Sequence, residues 1–390
     1  MKRICIAMLV ICLVLSLAAC KKASPISDAT TDITPSDNSE QGEGIFEQKP
    51  MFSVSLPVIT DTEKAPDGTT LLTNTYQSIT LNIPDTAVTD VITENFLAVI
   101  DEYSGEYAAE LLEYAKNEYA QSQNFMSYMN SIIFEPMRLD SSILSLFGDH
   151  AFYTGGIHPN SAFMSITYDL CTGQVISLED ILAEAEDSDA LYTLTMEALA
   201  SIKESKYLFD NYEESVKLQF SDGRKYDNGW YLSDTGLCIY FPPYEIAPYA
   251  SGAIIAEIPY KKLNGVLKDA YFPLETDSPS GQLFVQSMDT VENTDNFSQF
   301  SEIVLDPDGD RLLLHTDRHI RNIRISTALK QGGSLLPTHT VLAAESLTPG
   351  DAIFLQADFS ESQATITVTY KSENDMQYKI VKTSDGFQLK

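Results

Sequence analysis

Basic side chains are scarce in this chain: 25 Lys and Arg stand against 56 Asp and Glu, for a formal net charge of −31. A field of that sign repels phosphate backbones and anionic headgroups. Nucleic acid is therefore excluded as a partner, and cationic partners or metal ions are favoured, unless the acidity serves solubility alone. Cysteine is also sparse, with five residues. Cys5 and Cys12 lie inside an N-terminal apolar run and Cys20 just after it, so only Cys171 and Cys238 remain for the folded part. Two cysteines in strand-like segments make no disulfide framework, and one bridge or two buried thiols are the alternatives. Chemistry-bearing motifs are missing as well. There is no phosphate-cradling glycine loop, no serine in a nucleophile elbow and no cysteine convincingly matched with a histidine, while carboxylates are too abundant to single out a catalytic pair. The chain reads as a non-enzyme with no cofactor and no metal.

The N-terminus carries the most specific signal. Lys2 and Arg3 precede an apolar run over 4–19 that ends Leu17-Ala18-Ala19-Cys20. A basic start, a greasy stretch and small residues before a cysteine describe a lipoprotein export signal over 1–20, with Cys20 lipidated and becoming the mature N-terminus. The alternative, an uncleaved anchor, needs roughly 20 apolar residues and the run falls short. The expected location is outside the cytoplasm, with the lipid on Cys20 holding the chain to the bacterial cell membrane. Residues 21–50 are rich in Ser, Thr, Asp, Glu and Gly and nearly empty of large apolar side chains. Such a segment cannot offset its ordering entropy and reads as a disordered tether.

Apolar residues make up 44% of the chain, enough for a sizeable core. Over 52–58 Phe52, Val54, Leu56 and Val58 alternate as in a strand, and 75–83 reads as a second strand closed by Pro84. Asp85 or Thr86 then caps a helix whose Val88, Ile92, Phe96, Val99, Ile100, Tyr103 and Tyr107 recur at helical spacing, continuing with interruptions to about Tyr119, with Gly105 placed to bend it. Tyr103, Tyr107, Tyr114 and Tyr119 on that helix read as core, with a stacking platform for sugars as the alternative. Short strands over 128–170, broken at Gly148-Asp149 and Gly155-Gly156, precede a helix over 189–206 and strands over 237–241 and 253–259. The expected fold class is α+β, with an antiparallel sheet and helices over 51–272, a linker at 273–281 and a small all-β, sandwich-like domain over 282–390. The cleanest alternation there is Ala364, Ile366, Val368, Tyr370 against Thr365, Thr367, Thr369, Lys371.

Two stretches are distinctive. The first runs Phe152-Tyr153-Thr154-Gly155-Gly156-Ile157-His158-Pro159-Asn160, then Ile166-Thr167-Tyr168-Asp169-Leu170, Thr172-Gly173 and Ile176-Ser177-Leu178-Glu179-Asp180-Ile181-Leu182. The second runs from Tyr231-Leu232-Ser233-Asp234-Thr235-Gly236-Leu237 through Tyr240-Phe241-Pro242-Pro243-Tyr244-Glu245-Ile246-Ala247-Pro248-Tyr249-Ala250-Ser251-Gly252 to Ile258-Pro259-Tyr260. Together, over roughly 51–267, they resemble the extracytoplasmic module shared by the lysozyme-binding anti-sigma factor RsiV and the non-catalytic part of the peptidoglycan deacetylase PdaC. The chain departs from both: a lipid-anchored Cys20 leaves no room for a cytoplasmic inhibitory segment, and no deacetylase metal motif is found. The resemblance implies binding of a lysozyme-like cationic protein or of peptidoglycan.

Physical chemistry singles out four ligand-binding candidates within these motifs. Gly155-Gly156 can turn the chain sharply and present His158 and Asn160 on a loop. His158 could hydrogen-bond a sugar or sense acidity, or act as a structural hydrogen-bonder. Tyr244 and Tyr249, among Pro242, Pro243 and Pro248, form a stiff aromatic loop suited to contact surfaces, or one that closes the fold. Weaker constellations are His315 with His319, too far apart on a strand for one metal unless the chain turns, and Asp306-Pro307-Asp308-Gly309-Asp310, a hairpin turn with the opening of a calcium loop as the alternative. Arg311, Arg318, Arg321 and Arg324 form a basic cluster: a solvated strand face, or a docking face for the acidic first domain or for wall anions. The expected function is a non-enzymatic surface lipoprotein that binds a cationic wall-degrading protein or the wall polymer, with an accessory module of peptidoglycan remodelling or an undetected hydrolase or deacetylase as alternatives. Cell fractionation should find the product in the envelope without its leader; an unmodified cytosolic product that keeps residues 1–19 overturns the export reading.

Overall fold

The computed structural model describes residues 51–184, 187–220, 229–274, 278–291, 297–328, 330–331, 334–335, 338–359 and 365–390. The leader, Cys20 and the tether therefore lie outside the described residues. Among those described, no helix is long and apolar enough to cross a membrane. Gln48–Lys390 form one compact unit.

Its first layer is a five-stranded sheet in the order Val58–Lys64, Thr70–Gln77, Tyr128–Leu139, Ile143–Tyr153, Asn160–Asp169. All neighbours are antiparallel except Thr70–Gln77 and Tyr128–Leu139, which run parallel and are joined by a helical crossover. That crossover departs from the wholly antiparallel sheet expected. Asp85 starts it as N-cap: its carboxylate accepts the N–H groups of Ala87 and Val88 at 2.9 and 3.3 Å. In the helix Thr86–Ile100, Val88, Ile92, Phe96 and Ile100 form one buried stripe, packed on Ile132, Phe134, Leu144 and Leu146 of the sheet. Where Gly105 was placed to bend the helix, a π-helical turn, Asp101–Tyr107, interrupts it before Ala108–Gln121. A π-turn leaves carbonyls without their usual partners. Two buried asparagines on the sheet meet them, with Asn74 Nδ2 donating to Ser104 O at 2.8 Å and Asn130 Nδ2 to Tyr103 O at 2.9 Å. Asn130 Nδ2 also reaches Asn74 Oδ1, and its own Oδ1 accepts from His150 Nε2, each at 2.8 Å. The buried His150 ring lies against Tyr103 and Tyr107, so two of the four helix tyrosines are packing residues while Tyr114 is exposed.

Gly148 does not break its strand as expected. It sits within Ile143–Tyr153 because a Cβ there would meet the Phe134 ring at 2.6 Å, and only glycine lets that ring cross the sheet.

The opposite face of this sheet is covered by a three-stranded sheet ordered Ile254–Pro259, Gly236–Phe241, Trp230–Leu232. Phe147 and Phe163 pack there on Tyr231 and Tyr240, and Leu232 N–H donates to Ser145 Oγ at 3.0 Å. The helix Asp187–Ser201 packs on the far side of the small sheet, with Leu191 and Leu199 buried against Ile254, Ala256 and Ile258.

The C-terminal part is a sandwich. A seven-stranded sheet, ordered Gly386–Leu389, Asp375–Thr383, Ile366–Lys371, Ile320–Thr327, His339–Leu347, Ser53–Ser55, Thr80–Asn82, faces a four-stranded sheet, ordered Leu283–Ser287, Asp310–Thr316, Asp351–Ala357, Gln299–Val304. One apolar core lies between them, with Ile323, Ile325, Val368 and Ile366 from the first sheet and Leu312, Leu314, Ile353 and Leu355 from the second. The α+β class with mostly antiparallel sheets is thus observed. Two strands of the larger sheet come from the N-terminal part: Ser53–Ser55 pairs with His339–Leu347 on one side and Thr80–Asn82 on the other. The parts before 273 and after 281 therefore share a sheet. The Asp306–Asp310 turn is not a hairpin, because Asp351–Ala357 lies between the strands on either side of it.

One buried charge ties these layers together. Pro136 has no N–H for the ladder, and the register with the neighbouring strand slips between Pro136 and Arg138. Arg138, 2% exposed, donates through Nε to Asp140 at 2.7 Å and through Nη1 to Tyr260 Oη at 2.8 Å and Tyr271 O at 2.5 Å. Asp140 in turn accepts the N–H groups of Ser142 and Ile143 at 2.8 and 2.9 Å. Every charged atom is met, which is what makes burial of such a pair tolerable.

Arg138→Ala strands Asp140 and should cost about 3–5 kcal/mol in urea unfolding, whereas Lys116→Ala, at an exposed helical pair, should stay within about 0.5 kcal/mol. A second expectation concerns pH. Burial pushes His150 down to about 4, so the unfolded chain takes up a proton near its ordinary value of 6.5 while the folded chain does not. Stability contributed by neutral His150 is complete above that ordinary value and is lost as pH falls from about 6.5 toward 4. Thermal melts over that range should show a steeper decline for the parent than for His150→Gln; parallel slopes would remove His150 as the cause.

Candidate functional site

The structure brings the tips of two hairpins together. Gly155 and Gly156, with φ of +85° and +126°, turn the chain out of Ile143–Tyr153, and Asn160 starts the return strand opposite Phe152. From the small sheet, the loop between Gly236–Phe241 and Ile254–Pro259 reaches across to this turn. Tyr249 Oη donates to Pro159 O at 2.6 Å, and the same carbonyl accepts from His158 Nδ1 at 2.8 Å. The rings of His158 and Tyr249 stack, with centroids 4.2 Å apart and planes 22° from parallel. Donation from Nδ1 leaves Nε2 of the neutral imidazole as an acceptor. Tyr244 extends the run, its centroid 5.7 Å from that of Tyr249. Three of the four candidates thus form one aromatic row, and Asn160 sits next to it, exposed, at the base of the turn. Ile157, which sequence reasoning did not single out, stands fully exposed at the turn's apex. Its signal was there: an apolar side chain between Gly-Gly and His-Pro has no neighbour within the turn to pack on.

Tyr244 carries a second peculiarity. Glu245 N–H bonds Pro242 O at 3.2 Å, which makes 242–245 a turn with Pro243 at its second position and Tyr244 at its third. Tyr244 has φ of +70°, the left-handed value that makes this position one for glycine or asparagine. Yet the ring is 64% exposed and packs into no core. A bulky residue is thus held in a disfavoured conformation without a packing reward.

A larger cleft, about 1060 Å³, opens between the Asp187–Ser201 helix, the small sheet and the Glu135–Met137 segment. Several of its charged groups already have partners. Both Glu135 carboxylate oxygens accept Thr340 N–H at 3.0 Å, with burial raising the Glu135 carboxyl above its ordinary value. Arg324 Nη2 donates to Asp234 at 2.7 Å and to Met137 O at 3.3 Å. Burial pushes the Cys238 thiol up to about 12, so it is no thiolate nucleophile at neutral pH. The cleft is a seam between layers, partly apolar, with these polar groups along it. The basic cluster is divided: Arg324 is spent in this seam, while Arg311 sits on the other sheet. No disulfide joins Cys171 and Cys238, since Cys171 lies in an exposed turn rather than a strand and Cys238 in a buried strand.

Residues 179–261 match the family model DUF3298, a protein of unknown function. The DUF3298 segment begins in the short helix Leu178–Ile181 and runs through the small sheet, so it includes Tyr244 and Tyr249 but not His158 or Asn160. Among solved structures, the chain is similar to a DUF3298 family member from Bacteroides fragilis NCTC 9343, at 19% identity over 57% of this chain and 95% of that one, with a TM-score of 0.42. It is also similar to a DUF3298 family protein from Pseudomonas aeruginosa PAO1, at 19% identity over 56% of this chain and 98% of that one, with a TM-score of 0.39. No curated protein matches the chain.

Tyr244→Gly separates the two roles of that position. Glycine relieves the left-handed strain, so the thermal midpoint should hold or rise, by on the order of 1 kcal/mol in stability, while any ligand contact through the ring is lost. A clear destabilisation would show that the ring is structural.

Proposed function

We propose that this protein is a non-enzymatic, lipid-anchored envelope protein that captures a cationic wall-degrading protein of the lysozyme type on the surface built by His158, Tyr244, Tyr249 and Ile157. The observation that carries the reading is the meeting of two hairpin tips in an exposed aromatic row with an isolated isoleucine at its apex. Tyrosines held rigid by prolines and ring stacking lose little entropy on binding, and a projecting apolar side chain fits a pocket on a partner. The resemblance to the RsiV and PdaC module supports the choice of partner, as does the net charge of −31, which speeds encounter with a cationic protein. Export and anchoring through Cys20 would place the surface in the envelope. A second reading, binding of peptidoglycan itself, is favoured by the ring row together with His158 Nε2 and Asn160 as sugar-bonding groups.

Pull-down with lysozyme at low and at physiological ionic strength tests the first reading. Capture should weaken with salt and fall about tenfold in Tyr249→Ala and in Ile157→Ser. No capture at either ionic strength rejects it. Co-sedimentation with purified peptidoglycan that survives salt and depends on Tyr249 supports the second instead. Release of acetate or sugar fragments would overturn the non-enzymatic reading.

A further inference from the structure

The four-stranded sheet of the sandwich has an outer face that breaks the usual rule. A sheet packed on one side turns polar side chains outward on the other. Inward go Leu283, Leu312, Leu314, Ile353, Leu355 and Ile303, all buried in the sandwich core. Outward, the register aligns Phe284, His315, Ala352 and Phe300 in one row across the strands, and Gln286, Leu313, Phe354 and Glu302 in the next; Ala352 and Leu313, in the middle of the face, are buried, and the exposed rings lie toward its edges. Beyond these, Arg311 stands opposite Gln356.

The rings are in contact from one edge of the sheet to the other. Phe284 stacks on His315 at 5.4 Å, His315 meets Phe297 at 5.6 Å, Phe297 meets Phe300 at 6.3 Å, and Phe300 stacks on Phe354 at 4.8 Å. Phe284 and Phe300 are each 37% exposed, although the core beneath needs neither. Beside Phe354 a hollow of about 300 Å³ is bordered by Met288, Glu302, Arg311 and Gln356. Beyond their backbone pairing in the sheet, the side chains of Arg311 and Glu302 have no hydrogen-bond or ion-pair partner among the described residues. Gln356 spends its Nε2 on Pro307 O, which leaves Oε1 as an acceptor.

We propose that this outer face is a binding site for a neutral glycan chain, separate from the hairpin-tip surface and independent of its function. The ring band offers apolar surface for the C–H faces of sugar rings, with Phe284 and Phe300 the exposed faces. The adjoining Arg311, Glu302 and Gln356 offer planar donors and acceptors for hydroxyl groups, and an apolar floor with a few convergent polar groups is the make-up of a ligand site. The net charge of −31 disfavours a phosphate-bearing polymer or an anionic lipid surface, and a neutral polyhydroxylated chain meets no such penalty. His315 fits this choice, since burial lowers its pKa and keeps the imidazole uncharged within the band at neutral pH.

Titration calorimetry of the full chain with a hexamer of β-1,4-linked N-acetylglucosamine, and with cellohexaose for comparison, tests the site. At least one glycan should bind. Phe300→Ser should weaken it about tenfold, and Arg311→Ala measurably, with no change in thermal midpoint for the exposed Arg311 variant. Tyr249→Ala should leave this affinity unchanged, which separates failure here from failure at the hairpin tips. No binding at millimolar glycan, or equal affinity in Phe300→Ser and Arg311→Ala, overturns the proposal. So does a sedimentation shift from dimer to monomer in Phe300→Ser, because the band would then be covered by a second copy of the chain.

Discussion

The guanidinium of Arg138 is the constraint around which the layers are arranged. Its strand, Tyr128–Leu139, is the centre of the five-stranded sheet, and successive residues near its end serve different neighbours. Glu135 holds the Thr340 backbone of the sandwich, Met137 O accepts from Arg324, and Arg138 grips Tyr260 and Tyr271 beyond the small sheet. The bulge after Pro136 rotates these groups away from a simple alternation. A charge buried this deeply is stable only while Asp140 and both tyrosines stand in place, so the position of each layer is coupled to the others.

From that arrangement the hairpin tips follow. The small sheet is fixed against the outer face of the larger one by Phe147, Tyr231 and Tyr240, and this sets where its long loop emerges. Tyr249 then closes on the Gly155–Gly156 turn, so the patch belongs to two elements rather than to one flexible loop. The left-handed Tyr244 fits the same picture, because strain is tolerated where surrounding structure over-determines the backbone. The sandwich carries its own aromatic face on the side away from the shared core. The fold thus presents two surfaces of different chemistry: a projecting tip and an aromatic band with polar flanks.

Much of this was legible residue by residue. The stripe Val88, Ile92, Phe96, Ile100 gave a helix, Asp85 its start and Gly105 the place where it distorts. The alternation at Ile366, Val368 and Tyr370 gave a strand with its buried side correct. His158, Tyr244 and Tyr249 stood out by their glycine and proline neighbours. Other features were hidden by the same local logic. Gly148 looked like a break because its reason for being glycine, the Phe134 ring, sits on another strand. The 306–310 turn looked like a hairpin because a strand inserted from forty residues downstream leaves no local mark. Phe284, Phe300 and Phe354 look like ordinary core aromatics until their strands are aligned.

What the sequence determined by itself was the type of the strongly periodic segments and their apolar face, as in the helix after Asp85 and the strand at Ile366, since periodicity and turn chemistry are local properties of neighbouring residues. What only the tertiary structure decided was partnership: that Ser53–Ser55 joins a sheet built mainly from residues after 320, that Tyr249 stacks on His158, and that Arg138 finds Tyr260. An alternating strand states that one side must be covered but not by what. The covering surface is chosen by shape, register and the satisfaction of buried polar groups across the whole chain.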